Sequence, residues 1–318
     1  MEENFRVSLV IPCYNEESNI EVIYIEIKKH ISKYCNHEII FVDDGSVDNS
    51  LNIIKSLSIK DSNVKYISLS RNFGHQNALK AGLDFSTGNC VISLDCDLQH
   101  PPQLIDMLVD KWKEGYAVVY TIRKENSNQS FFKKVTSKLF YKILNILTKT
   151  EINEGAADFR LLDKTVVDII RKFEENHLFL RGIVSWIGFK QTSIEYYPNP
   201  RYSGNTKYPL RKMLAFAFTG ITSFSIQPLK ISIYLGFIIS FSVFIYGVFA
   251  IIASILTDKT IPGWTSVIVS VLFIGGIQLI MLGIIGEYLG KLFIENKKRP
   301  NYVIKESNVR GEKLSSLQ

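Results

Sequence analysis

The sequence predicts an α/β domain with a doubly wound, mostly parallel sheet, followed by two transmembrane helices. Short apolar runs alternate with stretches of helical periodicity through residues 7–120, which is the pattern of βαβ units. Two charge-free apolar stretches then occupy residues 231–256 and about 265–285. Each reaches the roughly 20 residues that a helix needs to cross a bilayer.

The predicted sheet consists of short apolar runs that end in polar loops. Ile20, Ile23, Ile27 and Ile31 recur at the period of a helix after the first run. The strands are predicted at residues 7–12, 38–42, 64–69 and 90–94, with a fifth at 118–120. Because ligands bind where parallel strands end, we expect a common cleft lined by residues 12–16, 43–46 and 95–99.

The loop after the fourth strand carries the most informative polar run, which contains Asp95, Asp97, Gln99 and His100. Alternation along a strand points the two carboxylates to the same side. Carboxylate and amide oxygens are ligands suited to Mg²⁺ or Mn²⁺. An isolated Asp-x-Asp before a helix is more often a solvated turn with Asp caps, so the other motifs must decide between the two interpretations.

Charges flanking the apolar stretches orient the predicted helices. Arg211, Lys212 and Lys230 precede the first stretch, and Lys291 and residues 297–299 follow the second. By the positive-inside rule both ends lie in the cytoplasm, so we expect a multi-pass plasma-membrane protein with a cytoplasmic N-terminal domain. The net charge of +6 indicates adhesion to anionic lipid rather than to nucleic acid.

The predicted organisation has five parts. They are a globular domain, an interfacial helix region, two spans and a cytoplasmic tail, at residues 1–205, 206–230, 231–256, 264–289 and 290–318 respectively.

Two local segments are also predicted. Residues 155–160 are expected to form a polar loop between helices, and the polar residues after Tyr302 are expected to be frayed.

Four motifs occur in order and agree with one family. They are Val10-Ile-Pro-Cys-Tyr-Asn-Glu-Glu17, Val42-Asp-Asp-Gly-Ser-x-Asp48, Arg71-Asn-Phe-Gly-His75 and Leu94-Asp-Cys-Asp-Leu-Gln-His-Pro-Pro102. With further matching pieces at residues 157–162, 181–188 and 201–208, the sequence resembles the family 2 glycosyltransferases with a GT-A fold. More narrowly, it resembles the polyprenyl-phosphate glycosyltransferases of the dolichyl-phosphate mannosyltransferase and bacterial GtrB-like group.

The resemblance implies three sets of binding residues. The nucleotide sugar would be bound by Pro12, Tyr14, Glu16, Val42, Asp44, Asp95, Cys96, Arg201 and Lys207. Mg²⁺ or Mn²⁺ would be coordinated by Asp97 and Gln99. The acceptor phosphate would be bound by Arg123, Lys134 (with Lys133 as the alternative), Ser137 and Arg160. Where the family has an acidic residue before the last lysine, this chain has Asn205, to which we assign no role.

Asp97 and Asp158 are the catalytic candidates that the resemblance implies, with Asp158 offered as the general base. A phosphate monoester has a second pKa of about 6 and is largely a dianion at neutral pH. We therefore expect Asp158 to position the acceptor or orient Arg160 as much as to remove a proton. His75 is expected to pack a loop or make a hydrogen bond rather than bind a metal, and His100 to act as a cap near Pro101 rather than as a base.

The implied function is inverting transfer of a hexose from a nucleotide sugar to undecaprenyl phosphate at the cytoplasmic face. Glucose from UDP-glucose is the first choice, and N-acetylglucosamine, galactose and mannose stay open. A processive polysaccharide synthase would carry a Gln-x-x-Arg-Trp signature, which this sequence lacks. A non-catalytic membrane scaffold on a transferase fold is the alternative of another class. Glycine-rich spans would permit a homo-oligomer.

Overall fold

The computed structural model describes residues 5–124, 156–175, 178–198, 227–256 and 263–309. The chain forms two compact units, of which the first joins Met1–Ala215 to Pro300–Gln318 and the second is Phe216–Arg299. The end of the chain therefore belongs to the same unit as the N-terminal domain.

The first unit begins with alternating strands and helices, as the sequence predicts. These elements are β1 (Arg6–Cys13), α1 (Ile20–Ile31), β2 (Asn36–Asp43), α2 (Ser50–Lys60), β3 (Val64–Leu69), α3 (His75–Phe85), β4 (Cys90–Ser93), α4 (Leu104–Lys113) and β5 (Val118–Arg123). The later elements of this unit are β6 (Ala156–Asp163), α5 (Lys164–Ile170), α6 (Leu180–Ile187), β7 (Gln191–Tyr196) and β8 (Ile304–Ser307).

These strands form one mixed sheet in the order β7-β5-β6-β4-β1-β2-β3-β8. Strand β1 lies between β2 and β4 and is parallel to both, and β2 is parallel to β3. The apolar face of α1 is fully buried against this core, which confirms the helical periodicity of its isoleucines. The mostly parallel sheet is confirmed, with antiparallel strands added on both sides of the parallel centre.

Strand β6 corrects one expectation, because residues 156–160 are not a loop between helices. The strand is antiparallel to both β4 and β5 and places Ser93 opposite Arg160. The apolar side chains of Ala157, Phe159 and Leu161 alternate with the buried polar side chains of Asp158 and Arg160, so the strand is buried on both faces. Buried polar residues between them, including Asp158, hid this apolar alternation in the sequence.

Strand β8 corrects a second expectation, because the chain is ordered directly after Tyr302. It pairs antiparallel with the edge strand β3. Lys55 donates to both carboxylate oxygens of Glu306 at 2.7 Å, and the backbone N–H of Tyr66 donates to Oδ1 of Asn308 at 2.6 Å. An exposed sheet edge is a template for unwanted pairing, and this segment covers it.

The second unit contains α7 (Gln227–Leu256) and α8 (Trp264–Asn296). Within the described residues, one helical segment is long and apolar enough to cross a membrane, namely Val269–Asn296 with a mean hydropathy of 2.3. Helix α7 contributes a shorter apolar segment, Ser232–Tyr246. The qualifying segment lies on the second predicted span, and the first predicted span, residues 231–256, therefore stays a prediction.

Candidate active site

The loops after β1 and β2 meet at one edge of the sheet. The backbone N–H of Asp44 donates to the carbonyl of Cys13 at 2.8 Å. Asn15 donates its backbone N–H to Oγ of Ser46 at 3.0 Å and accepts that of Val47 on its side-chain oxygen at 2.9 Å. These bonds join the two loops into one wall, as expected for a cleft at the carboxyl ends of parallel strands.

The Asp44 carboxylate holds the loop that follows β3. Its two oxygens accept the backbone N–H groups of Phe73 and Gly74, at 2.7 and 3.0 Å. Burial raises the pKa of Asp44, although these two amide donors oppose the shift. Its role in reading the nucleotide base stays a prediction, since both oxygens are already occupied by backbone amides.

Gly45 permits the close approach of the same two loops. Its φ of +69° lies in the left-handed region, and a Cβ there would lie 2.4 Å from the carbonyl carbon of Arg71. Only glycine avoids both the strain of the positive φ and the clash of a Cβ with the backbone of Arg71. The motif Asp44-Gly45 therefore fixes the backbone just before His75.

His75 points its ring at two carboxylates, which agrees with the polar role, and not the loop-packing role, among those expected for it. Its Nε2 lies 3.4 Å from Oδ1 of Asp95 and 3.7 Å from Oδ2 of Asp158. Partial loss of hydration favours the neutral ring, but the nearby carboxylates of Asp158 and Asp95 outweigh it and raise the pKa of His75 to about 9. The imidazole is therefore a cation at neutral pH.

His100 contacts the other oxygen of Asp95, so the cap role expected for it is wrong. Its Nε2 lies 3.0 Å from Oδ2 of Asp95, and its Nδ1 lies 2.6 Å from the hydroxyl of Tyr196 on β7. Burial opposes ionisation of Asp95, but the hydrogen bond from His100 and the charge of His75 lower its pKa. The Asp95 carboxylate is thus held between two imidazole rings.

Asp158 on β6 gathers cationic side chains. Its Oδ1 accepts from Nη2 of Arg160 at 3.0 Å, and Arg181 donates to both of its oxygens at 2.9 Å. Gln76 donates to Oδ2 at 3.3 Å. Burial alone would raise the pKa of Asp158, but Arg181, His75 and Arg160 hold it well below its usual range.

Sequence reasoning missed Arg181, although it lies in a motif that matches the family. It is the second residue of α6, and the backbone N–H of Leu180 before it donates to Oε1 of Gln76 at 3.2 Å. The signal available in the sequence was the Arg181-Gly182 pair, whose glycine is buried in the structure. What the sequence could not show is that β6 brings Asp158 opposite this helix.

Asp97, Gln99 and Arg123 lie together on the other side of the site. The backbone N–H of Gln99 donates to Oδ1 of Asp97 at 3.1 Å, and Arg123 donates to Oε1 of Gln99 at 3.0 Å. The predicted metal ligands and a predicted acceptor residue are therefore neighbours.

This oxygen set fits a divalent ion that arrives with a substrate. No group of three or more His, Cys, Asp or Glu side chains with metal-binding geometry occurs within the described residues. Mg²⁺ is commonly held by one or two carboxylates together with substrate phosphates, and the Asp97 carboxylate meets that requirement. For the amide oxygen of Gln99 to join, the ion would replace the Arg123 donor.

The remaining predicted site residues differ in accessibility. Tyr14 is 40% exposed and its ring is open to a planar ligand, whereas Pro12, Val42 and Cys96 are buried. Glu16 accepts a hydrogen bond from Asn19 at 2.5 Å. Other predicted residues lie outside the described residues, namely Lys133, Lys134, Ser137, Arg201 and Lys207.

Comparison with known proteins agrees with this geometry. The family model of glycosyl transferase family 2 matches residues 8–170, and that of the GtrB C-terminal hairpin matches residues 227–292. The chain is 44% identical over 308 residues to the uncharacterized glycosyltransferase YkcC of Bacillus subtilis (strain 168), covering 96% of this chain and 95% of that protein.

Two further relatives carry more specific names. One is the prophage bactoprenol glucosyl transferase homolog of Escherichia coli (strain K12), 41% identical over 94% of this chain and 98% of its own length. The other is the bactoprenol glucosyl transferase of Shigella phage SfX, 40% identical over 94% of this chain and 99% of its own length. The similarity includes both the sheet and the C-terminal hairpin.

Proposed function

Since this chain is a glycosyltransferase of family 2 with a GT-A fold and a GtrB C-terminal hairpin, we propose that it transfers glucose from UDP-glucose to undecaprenyl phosphate. The names of relatives that match almost the whole chain support a polyprenyl-phosphate acceptor and glucose as the sugar. The proposed product is a lipid-linked sugar for use in the cell envelope.

The observation that carries the proposal is the charge arrangement at the sheet edge. Arg160, Arg181 and His75 surround Asp158 and Asp95, so this cluster has more cationic than anionic side chains. Within the described residues, Nε of the buried Arg160 has no hydrogen-bond partner. A buried donor left unpaired costs about 1–3 kcal/mol, so the cluster has capacity for another acceptor oxygen.

On the donor side, Asp97 and Gln99 would hold Mg²⁺ or Mn²⁺. When bound, such an ion neutralises the negative charge that develops on the departing diphosphate. Asp95 would bind the nucleotide, as its fixed orientation between His75 and His100 suggests. The proposed roles of Tyr14 at the base, and of Arg201 and Lys207 at the diphosphate, rest on the family resemblance.

On the acceptor side, Asp158 would act as a positioning residue. Its pKa lies well below the usual range because Arg181, His75 and Arg160 surround it, and a carboxylate of low pKa is a weak base. A phosphate dianion needs little help from a base. Asp158 would therefore hold Arg160 and Arg181 ready for the lipid phosphate, with Arg123, Lys134 and Ser137 completing the pocket.

Direct attack by that phosphate inverts the anomeric centre, so an α-linked sugar nucleotide would give a β-linked lipid phosphate. Two membrane helices would keep the cleft at the cytoplasmic headgroup plane. N-acetylglucosamine, galactose and mannose are the alternative sugars, and a non-catalytic membrane scaffold is the alternative of another class.

The test uses the purified full chain in lipid nanodiscs with undecaprenyl phosphate and a panel of radiolabelled sugar nucleotides. We expect label in the lipid fraction from UDP-glucose, its loss on addition of EDTA, and its recovery with Mg²⁺ or Mn²⁺. Transfer from another nucleotide sugar alone would correct the sugar. Nucleotide binding without any transfer would favour the scaffold.

A further inference from the structure

His75 is the side chain through which the two halves of the candidate site are connected. One carboxylate that it faces, Asp95, follows β4 and belongs to the proposed donor side, and the other, Asp158, lies on β6 and belongs to the acceptor side. Among the ion pairs of the described residues, His100 contacts Asp95, Arg160 and Arg181 contact Asp158, and His75 faces both carboxylates. Two carboxylates that share one imidazolium are each stabilised by it, and without that cation they repel.

The position of His75 is set by backbone contacts that precede it. Asp44 accepts the N–H groups of Phe73 and Gly74, and Gly74 then turns the chain with φ +93° into α3. His75 is the first residue of α3, and the next residue, Gln76, donates a hydrogen bond to Asp158. The loop is thus built to present His75 and not merely to connect β3 with α3.

The ring is also accessible, with 42% of the side chain exposed, whereas Asp158 is 7% exposed. A histidine that only packed a loop would not need an open face in the cleft. The other charged or titratable groups around it are Arg181 and Arg160 on the Asp158 side, His100 on the Asp95 side, and Asp44, which holds the preceding loop. Arg160, whose Nη2 lies 3.0 Å from Oδ1 of Asp158, is also influenced by the charge of Asp95.

We propose that His75 is a positioning residue whose cationic ring holds Asp95 and Asp158 at a fixed separation and thereby aligns the sugar donor with the acceptor phosphate. This inference rests on the proposed function. It predicts that charge at position 75 matters more than hydrogen bonding, because glutamine can donate a hydrogen bond but cannot neutralise two carboxylates.

The test compares His75→Gln, His75→Lys and the matched control His30→Gln. The control removes a histidine whose Nδ1 lies 3.8 Å from a carboxylate oxygen of Asp106, away from the sheet edge. Transfer to undecaprenyl phosphate and UDP binding are measured in nanodiscs, with the melting temperature of each variant. We expect His75→Gln to lose on the order of 100-fold in kcat/KM for the donor, as for a misplacement of about 1 Å.

His75→Lys should keep more activity than His75→Gln, and His30→Gln should match the wild type, all at similar melting temperatures. Equal losses in the lysine and glutamine variants, no loss in His75→Gln, or a loss that follows the melting temperature would each overturn the inference. If the wild type transfers no sugar, the proposed function fails. The role of His75 is then tested by UDP binding alone. UDP binding by His75→Gln equal to that of the wild type would then reject the role of His75.

Discussion

Arg181 donates from Nε to Oδ1 and from Nη2 to Oδ2 of Asp158, both at 2.9 Å. This two-pronged pair joins α6 to β6, and a planar guanidinium is the side chain best suited to it. Together with Arg160 it leaves Asp158 with little basicity. The geometry therefore favours a role for Asp158 in holding the two arginines in place over a role as a proton acceptor.

The first prediction compares Asp158→Asn with Asp97→Asn across about pH 6 to 9. Asp158 is ionised throughout this range because its pKa is lowered. The activity of the wild type should therefore rise with ionisation of the acceptor phosphate, whose second pKa is about 6, and fall again toward pH 9 as His75 loses its proton. We expect Asp158→Asn to retain more activity at the alkaline end than Asp97→Asn. Equal and complete loss at every pH, with substrate binding intact, would make Asp158 the general base.

The second prediction concerns Arg181→Lys. Lysine keeps the charge but cannot make two parallel hydrogen bonds to Asp158, so acceptor alignment should suffer more than donor binding. We expect a fall of about 10-fold or more in kcat, with UDP affinity within about twofold of the wild type. Arg171→Lys is the matched control, since Arg171 contacts Asp168 and backbone carbonyls near Leu83. Full activity in Arg181→Lys would show that charge alone suffices.

The third prediction compares two glycines with positive φ. Gly45→Ala adds a Cβ that would lie 2.4 Å from backbone, whereas Gly115→Ala, with φ +90°, has nothing within 4 Å among the described surroundings. Gly115→Ala should cost only the conformational strain, about 1–3 kcal/mol. Gly45→Ala should cost more, and should also lower activity because the loop that presents His75 must move. Thermal unfolding and transfer assays measure both effects, and equal results for the two variants would contradict the assigned packing.

The sequence predicts the parallel part of the sheet well because β1 to β4 are long apolar runs with helices between them. It also predicts that Asp95, Asp97 and Gln99 lie at the edge of the sheet, because they directly follow an apolar run that is typical of a buried strand. It fails at β6, where buried Asp158 and Arg160 interrupt the apolar pattern. Charged residues in a sequence are typical of an exposed loop, and only the folded structure shows that Asp158 and Arg160 are buried as an ion pair.

The histidines were missed for a related reason. His75 and His100 have no second histidine at ligand spacing, so residue type and spacing gave them no function. Their partners, Asp158 and Tyr196, come from strands far along the chain. Contacts of this length depend on strand order, which no local pattern contains. Strand β8 is the same case, since its partner β3 lies on the edge of a sheet formed much earlier in the sequence.

The fourth prediction tests the anchoring of the chain after α8. The Tyr302 hydroxyl donates to Oδ2 of Asp84 at 2.7 Å, and Asp84 also pairs with the buried Lys80 at 2.5 Å. Burial, together with the Asp84 charge, raises the pKa of Tyr302 far above its ordinary value, so it remains a donor at every working pH. Tyr302→Phe removes one hydrogen bond to a charged group, worth about 1.5–3 kcal/mol.

We therefore expect Tyr302→Phe to lower the melting temperature of the first unit by several degrees, while Tyr197→Phe, at a side chain 65% exposed, leaves it nearly unchanged. Because Asp84 and His75 are the two ends of the same helix α3, weaker anchoring at Asp84 should also reduce transfer before global unfolding. Hydrogen exchange of α3 amides measures this directly. Unchanged exchange and melting in Tyr302→Phe would mean that β8 pairing alone holds the segment.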